Sequence, residues 1–308
     1  AKNMGADAIH PGFGFLSENS EFVRRCKENG ITFIGPEADV IDKMGNKSHA
    51  RKTMMEAGVP VVPGTKEPVY DAETGIILAR EIGYPVMIKA SSGGGGKGMR
   101  VAASEDEFEF QFNMAQRESA NAFGDDTMYI ERFVENPRHV EIQIMADNFG
   151  NVVALGERDC SVQRNHQKLI EESPSPAISE ETREKMNQYA VLAAKTVNYT
   201  NAGTIEFIVS PKGEFFFMEM NTRIQVEHGV TEMVTGTDLI IEQIRVAMGQ
   251  PLSFRQEDIH LKGHAIECRI NAEIPEKNFM PSPGVVQHLH LPAGNGVRVD
   301  TGLYTGYR

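Results

Sequence analysis

The chain has 308 residues, a formal net charge of −12 and a pI near 5.3, with 40% hydrophobic and 24% charged residues. This is the composition of a globular protein with room for two or three domains. The acidic balance disfavours general nucleic-acid binding, no apolar run approaches bilayer length, and AKNMGADAIHPG lacks the zones of a signal peptide. Cys26, Cys160 and Cys268 have no metal-type spacing and read as reduced thiols in a cytosolic protein.

Taken in chain order, 6–10 reads as a strand, PGFG as a turn, 20–29 as a helix and 31–34 as a second strand. This is the rhythm of a parallel α/β sheet. Residues 37–58 read as two helical pieces broken near MGN, and Gly58 with Pro60 ends them. A second unit follows: a helix over 71–82, the strand PVMIKA at 85–90, a glycine loop, a strand over 99–102, a helix over 104–119 and a strand over 129–133. From Pro137 onward strands dominate, in RHVEIQIMAD, NVVALGER, GTIEFIVS, GEFFFMEMN and GHAIECRINAE, with helices near 179–197 and 237–248. In the last helix Ile240, Ile244, Ala247 and Met248 recur at helical spacing, which places Met248 in the core. The first residue is not methionine and DTGLYTGYR ends without a helix, so the chain reads as part of a longer one.

The loop ASSGGGGKGMR lies between two strands, which makes it a strand–loop–strand lid and not a linker. Bare backbone N–H groups can close on phosphate oxygens, and Lys97 adds charge. Alternation in PVMIKA puts Val86 and Ile88 on one face and Lys89 on the other, toward a place where a nucleotide could lie.

The hairpin GTIEFIVS-PKG-EFFFMEMN carries the strongest chemical signal. A two-residue turn at Lys212-Gly213 pairs 211 with 214, and a four-residue loop over 211–214 gives the same register. Either sets Glu206 opposite Glu219, whereas a Pro211-Lys212 turn makes them diagonal neighbours on one face, which Asn221 shares. Like charges at ~5 Å repel by roughly 3 kcal/mol at an effective dielectric near 20. Two carboxylates and an amide oxygen suit Mg²⁺, completed by water and phosphate. Ile205, Phe207, Phe216 and Met218 are assigned to the core face.

Other strands present polar faces: His139, Glu141 and Gln143 on one, Ala265, Glu267 and Arg269 on another. ERDCSVQRNHQK supplies Arg158, Arg164, His166 and Lys168, and NTRIQVEHGVTE supplies Arg223, Glu227 and His228. Together they can line one cleft made anion-friendly by Arg223, Lys168 and Arg269, with Glu227 as a candidate base. Arg158 and Arg164 could lower the pKa of Cys160, but without a His/Asn partner pattern a structural thiol is preferred. The pairs at 139–141 and 227–228 do not make a zinc signature.

HPGFGFLSEN, FIGP, MGNK, KASSGGGGKGMR, RHVEIQI, ERDCSVQRNHQK, EMNTRIQVEH and GHAIECRINAE together resemble the biotin carboxylase family along essentially the whole chain, most closely the component of bacterial acetyl-CoA carboxylase. The resemblance implies an α/β and α+β architecture of the ATP-grasp type. It would comprise a partial amino-terminal α/β domain (1–35), a helical linker (36–62), a glycine-loop lid (63–134) and a catalytic domain (135–308). It also implies ATP-dependent carboxylation of carrier-bound biotin by bicarbonate through carboxyphosphate, the first half-reaction of acetyl-CoA carboxylase in fatty acid biosynthesis. The implied cofactors are ATP, Mg²⁺ or Mn²⁺, and biotin on a carrier protein. The implied partners are bicarbonate, the biotin carboxyl carrier protein, a carboxyltransferase component and a second copy of the chain, in the cytoplasm.

By motif, Lys47, Lys89, Gly94, Gly95, Gly96, Lys97 and Gly98 would contact nucleotide phosphates, and Glu131 would sit by the adenine. Gln163, His166 and His139 would lie near the nucleotide, and Glu206, Glu219 and Asn221 would hold the metal. Lys168, Arg223 and the Val226 N–H would bind bicarbonate, Glu227 would deprotonate it, Arg269 would stabilise the biotin enolate and Arg298 would lie at a dimer contact. Phe13 and Gly229 depart from the family pattern, which usually shows tyrosine and proline there; a glycine should loosen the loop carrying Glu227. Alternatives are the equivalent domain of pyruvate or propionyl-CoA carboxylase, a carbamoyl phosphate synthetase half, against which RIQVEH and ECRIN argue, or an inactive nucleotide-binding fragment.

Overall fold

The computed structural model describes residues 1–91, 98–165 and 167–308. Residues 1–268 form one compact unit and 269–308 a second.

The first unit opens with β1 (Ala8–Ile9), α1 (Ser20–Glu28) and β2 (Thr32–Phe33), and the two strands pair in parallel. Asn19 caps α1 by accepting from Phe22 N at 2.8 Å. α2 (Ala38–Gly45) and α3 (Lys47–Glu56) are the two expected helical pieces, divided at Asn46, whose side chain caps α3 through His49 N.

The second group comprises α4 (Ala72–Ile82), β3 (Val86–Ala90), β4 (Met99–Ala102), α5 (Glu105–Phe123) and β5 (Met128–Arg132). Its sheet order is β4-β3-β5, antiparallel throughout. α5 runs a turn past the expected end because no breaker intervenes before Gly124, which takes the left-handed conformation. Phe108 and Phe112, one turn apart on α5, stack at 5.8 Å over Val86, Ile88 and Ile130. Each such ring buried is worth roughly 1.5–3 kcal/mol. The alternation in β3 is as expected: Val86 and Ile88 are buried and Lys89 points away.

The remainder is a six-stranded antiparallel sheet. It contains β6 (Arg138–Ala146), β7 (Val152–Arg164), β8 (Gln167–Ser173), β9 (Asn201–Val209), β10 (Phe215–Asn221) and β11 (Ala265–Cys268), in the order β10-β9-β6-β7-β8-β11. α6 (Glu180–Thr196) packs on one face; α7 (His228–Thr235) and α8 (Leu239–Ala247) contribute to the other. Met186, Ala190, Ala193 and Ala194 let α6 lie close over Val140, Ile142, Ile144, Ile205 and Phe207. Met145, Leu155 and Ala202 meet Leu239 and Val246 across the opposite face.

Four expectations are corrected. ERDCSVQR continues β7, and QKLIEES forms β8. The hairpin turn is none of the three weighed: Ser210 pairs with Glu214 around a three-residue loop, closed by Gly213 at φ 81°. A bulge between Phe217 and Glu219 then restores the register that sets the two glutamates opposite. The turn sets Phe217 opposite Phe207, so Phe217 joins Met220 in the α6 core; Phe216 is buried outside that cluster, and Met218, at the bulge, is only partly buried. On α8 the buried line is Leu239, Gln243 and Val246, so Met248 is exposed.

In the second unit, β12 (Glu273–Ile274) and β13 (Met280–Pro281) form an antiparallel pair. No helix among the described residues is long and apolar enough to cross a membrane.

Candidate active site

Strand alternation puts Glu141 and Gln143 of β6 and Thr204 and Glu206 of β9 on the face opposite the α6 core. Four charged residues consequently form a row across adjacent strands: Glu219 opposite Glu206, Glu206 opposite Glu141, and Glu141 opposite Arg158.

Lys168, reaching in from β8, answers this acidity. Its ammonium contacts Glu141, and lies 2.9 Å from Glu206 Oε1, 2.8 Å from Glu227 Oε1 and 3.1 Å from Gln225 Oε1. Burial opposes the charge on Lys168, but Glu141, Glu206 and Glu227 outweigh it and raise its pKa. Burial likewise acts to raise the Glu206 pKa, and His139 with Lys168 overcomes this and holds it below the usual carboxylate range. His139 Nε2 lies 3.1 Å from Glu206 Oε2; burial lowers its pKa and Glu206 more than reverses that.

Arg158 is fully buried. It donates to Glu141 at 2.6 Å, Gln143 at 2.6 Å, Thr231 at 3.0 Å and Thr204 at 3.1 Å, so a buried charge is both paired and hydrogen-bonded. Arg158 does act to lower the Cys160 pKa, but burial outweighs it and pushes the thiol well above its ordinary value. Cys160 is a free, buried thiol.

At the outer edge Asn221 Nδ2 donates to Glu206 at 2.8 Å, and Asn221 Oδ1 accepts from Arg223 at 3.0 Å. Glu219 therefore shares the face of Glu206, because Asn221 lies two residues beyond it on β10. Glu219 pairs with Lys47 of α3 at 2.8 Å. Lys89 pairs with Glu131, and Arg51 approaches the other oxygen of Glu131 at 3.2 Å. Gln163 donates to the Cys160 carbonyl at 2.9 Å and lies 3.1 Å from His139 Nδ1. The Val226 carbonyl is 3.1 Å from His228 Nδ1, immediately before Glu227, the residue preceding α7.

The structure thus gathers Lys168, Glu206, Glu227, His139, Gln163, Asn221 and Arg223 in one neighbourhood, with Glu219 joined to Lys47 and Lys89 to Glu131. Gly98 accepts from Ala90 N at 2.8 Å at the base of the glycine loop. Gly94, Gly95, Gly96, Lys97 and His166 lie outside the described residues. Arg269 opens the second unit, where Arg298 pairs with Asp300 at 2.8 Å.

Sequence reasoning missed Glu141 as a partner of Lys168, although alternation had placed it beside His139. It also missed Glu18, which binds Arg223 at 2.9 Å from over 200 residues away and carries no local signal. His139, Glu141 and Glu206 form a metal-capable group, but two of its three members already share the Lys168 ammonium.

Residues 1–41 match the biotin carboxylase N-terminal domain, 46–255 the ATP-binding domain of the carbamoyl-phosphate synthase L chain, and 267–308 the biotin carboxylase C-terminal domain. Biotin carboxylase 1 of Bacillus subtilis is 59% identical over all 308 residues, which span 68% of its length. The chain belongs to the biotin carboxylase family. Two crystal structures of biotin carboxylases align over the whole chain and 68% of their own. One is the Campylobacter jejuni enzyme in a β,γ-ATP complex, at TM-score 0.92 and 51% identity. The other is the biotin carboxylase domain dimer of Hydrogenobacter thermophilus 2-oxoglutarate carboxylase, with MgADP, ADP and bicarbonate, at TM-score 0.91 and 50% identity. The ATP-grasp architecture expected from the motifs is the one these biotin carboxylases share.

Proposed function

We propose that the protein is an ATP-dependent biotin carboxylase. The observation that carries this reading is the single ammonium of Lys168 meeting Glu141, Glu206 and Glu227 beside the Glu206–Glu219 pair. The similar Campylobacter structure is a β,γ-ATP complex and the Hydrogenobacter one holds MgADP, ADP and bicarbonate, and we carry nucleotide, magnesium and bicarbonate to this chain.

The donors suit a divalent cation: two hard carboxylates from adjacent strands and an amide from Asn221. Glu206, Glu219 and Asn221 would hold Mg²⁺, which when bound neutralises charge on the nucleotide phosphates. Lys47 and Lys89 would serve as cations for those phosphates, and Gly94, Gly95, Gly96, Lys97 and Gly98 would contact them too. Glu131 would border the adenine, with Gln163, His166 and His139 nearby.

Lys168, Arg223 and the Val226 N–H bind bicarbonate, and Glu227 removes its proton. The bicarbonate oxygen then attacks the γ-phosphorus, the bond to ADP breaks and carboxyphosphate forms. It divides into CO₂ and phosphate; that phosphate takes the proton from the ureido nitrogen of biotin, Arg269 would stabilise the resulting enolate, and the nitrogen takes up the CO₂. Lys168 joins anion binding to base catalysis because its ammonium already touches Glu227 at 2.8 Å. Phosphoryl transfer of this kind rests on positioning and charge neutralisation more than on covalent help.

The chain spans about two thirds of its relatives' length, and we propose a carrier protein, a carboxyltransferase partner and a dimer for the whole enzyme. We keep the division into an amino-terminal domain (1–35), linker (36–62), lid (63–134) and catalytic domain (135–308).

The experiment is bicarbonate-dependent ATP hydrolysis with and without free biotin. Stimulation by biotin is the expected result. Nucleotide binding without turnover supports an inactive fragment, and turnover on a different carboxylate acceptor would sink the assignment.

A further inference from the structure

α3 carries two cations one helical turn apart, Lys47 and Arg51, and each meets a glutamate from a different sheet. Lys47 reaches Glu219 of β10 at 2.8 Å, and Arg51 reaches Glu131 of β5 at 3.2 Å. Arg51 is held besides by two backbone carbonyls: Nη2 donates to Val62 O at 2.8 Å and Nη1 to Thr65 O at 3.3 Å. Those carbonyls flank Gly64, which lies against β5 so closely that a Cβ there would meet Ile130 O at 2.4 Å. The guanidinium is thereby fixed beside Glu131.

Glu131 is 8% exposed and takes its second cation, Lys89, from β3. A nearly buried carboxylate is costly to leave without a counter-ion. Without Arg51, moving Lys89 to another anion would strand Glu131. With Arg51 in place, Lys89 can leave and Glu131 stays paired.

We propose that Arg51 is a positioning residue that frees Lys89 for the nucleotide phosphates. It acts through Glu131, by an exchange of ion-pair partners when nucleotide enters. This deepens, and rests on, the reading of Lys89 and Glu131 as nucleotide-site residues.

The test is calorimetric titration of ADP into the 308-residue chain and its variants at fixed Mg²⁺. Arg51→Gln keeps amide donors for the Val62 carbonyl but removes the charge. It should raise the Kd for ADP by about tenfold, the size of an ordinary coupling between groups. Arg51→Lys keeps the charge and should stay within about threefold of wild type. The double variant Arg51→Gln with Glu131→Gln should return to the Kd of Glu131→Gln alone, because no buried carboxylate then holds Lys89 back. A purely structural role for Arg51 would give no such recovery. Wild-type affinity in Arg51→Gln, equal losses in Arg51→Gln and Arg51→Lys, or a double variant as weak as Arg51→Gln overturns the proposal. A wild-type chain that binds no ADP overturns the nucleotide-site reading itself, and the proposal with it.

Discussion

Glu206 on β9 and Glu219 on β10 are direct cross-strand partners, and Asn221 ties itself to Glu206 at 2.8 Å on the same face. Two like charges so placed repel by roughly 3 kcal/mol at an effective dielectric near 20. Lys168 and His139 offset the charge of Glu206, and Lys47 that of Glu219. Glu219→Gln removes one charge and one ion pair that is partly exposed, worth about 0–1 kcal/mol. The ligand-free variant should therefore melt at or above the wild-type temperature by calorimetry, while its bicarbonate-dependent ATP hydrolysis falls by about 10²-fold or more. Turnover at the wild-type rate would remove Glu219 from the metal site.

How far this was legible in the sequence differs from residue to residue. The facing glutamates were readable because alternation and a short turn suffice to pair two strands. The register came out right through two offsetting features: a loop one residue different from those considered and a bulge at Met218. Met218, expected in the core, sits at the bulge and is only partly buried, and the bulge has no signature in FFFMEMN. Glu18, Arg51 and the Thr204 and Thr231 partners of Arg158 were invisible because they join segments far apart in sequence. α7 escaped notice because it has only eight residues and Gly229 in its first turn.

Arg158 should be indispensable to folding, not merely to chemistry. Its guanidinium is wholly buried and neutralises Glu141 behind Lys168. Arg158→Met leaves that carboxylate short of a partner and should cost about 3–5 kcal/mol in urea unfolding. A loss under about 1 kcal/mol would show that Lys168 alone suffices for Glu141.

Gly229 lies in the first turn of α7, where a backbone N–H has no partner within the helix. Proline is tolerated in such a first turn and restricts the unfolded chain. Gly229→Pro should stabilise the protein by about 0.4–1 kcal/mol, seen as a higher melting temperature. An unchanged or lower value would dismiss the idea that glycine loosens the segment after Glu227.

Asp147 is buried and accepts from Phe149 N at 2.9 Å, Asn151 N at 3.0 Å, Asn151 Nδ2 at 2.7 Å and Leu252 N at 3.2 Å. Burial alone would raise its pKa, but these bonds lower it below the usual carboxylate value. A lowered folded-state pKa gives stability that is present above the unfolded value of about 3.9 and is lost as pH falls through the folded one. Asp147→Asn should cost about 1–3 kcal/mol in urea unfolding at pH 7, and the gap to wild type should narrow below about pH 4. A gap that does not change with pH would contradict this.

The most direct test of the metal-site account is titration calorimetry of ADP, with and without Mg²⁺, into wild type and Glu219→Gln. Mg²⁺ should tighten ADP binding to the wild-type chain by about tenfold and leave the variant's affinity unaltered. An equal Mg²⁺ effect in both proteins would contradict the claim that the paired carboxylates hold the ion.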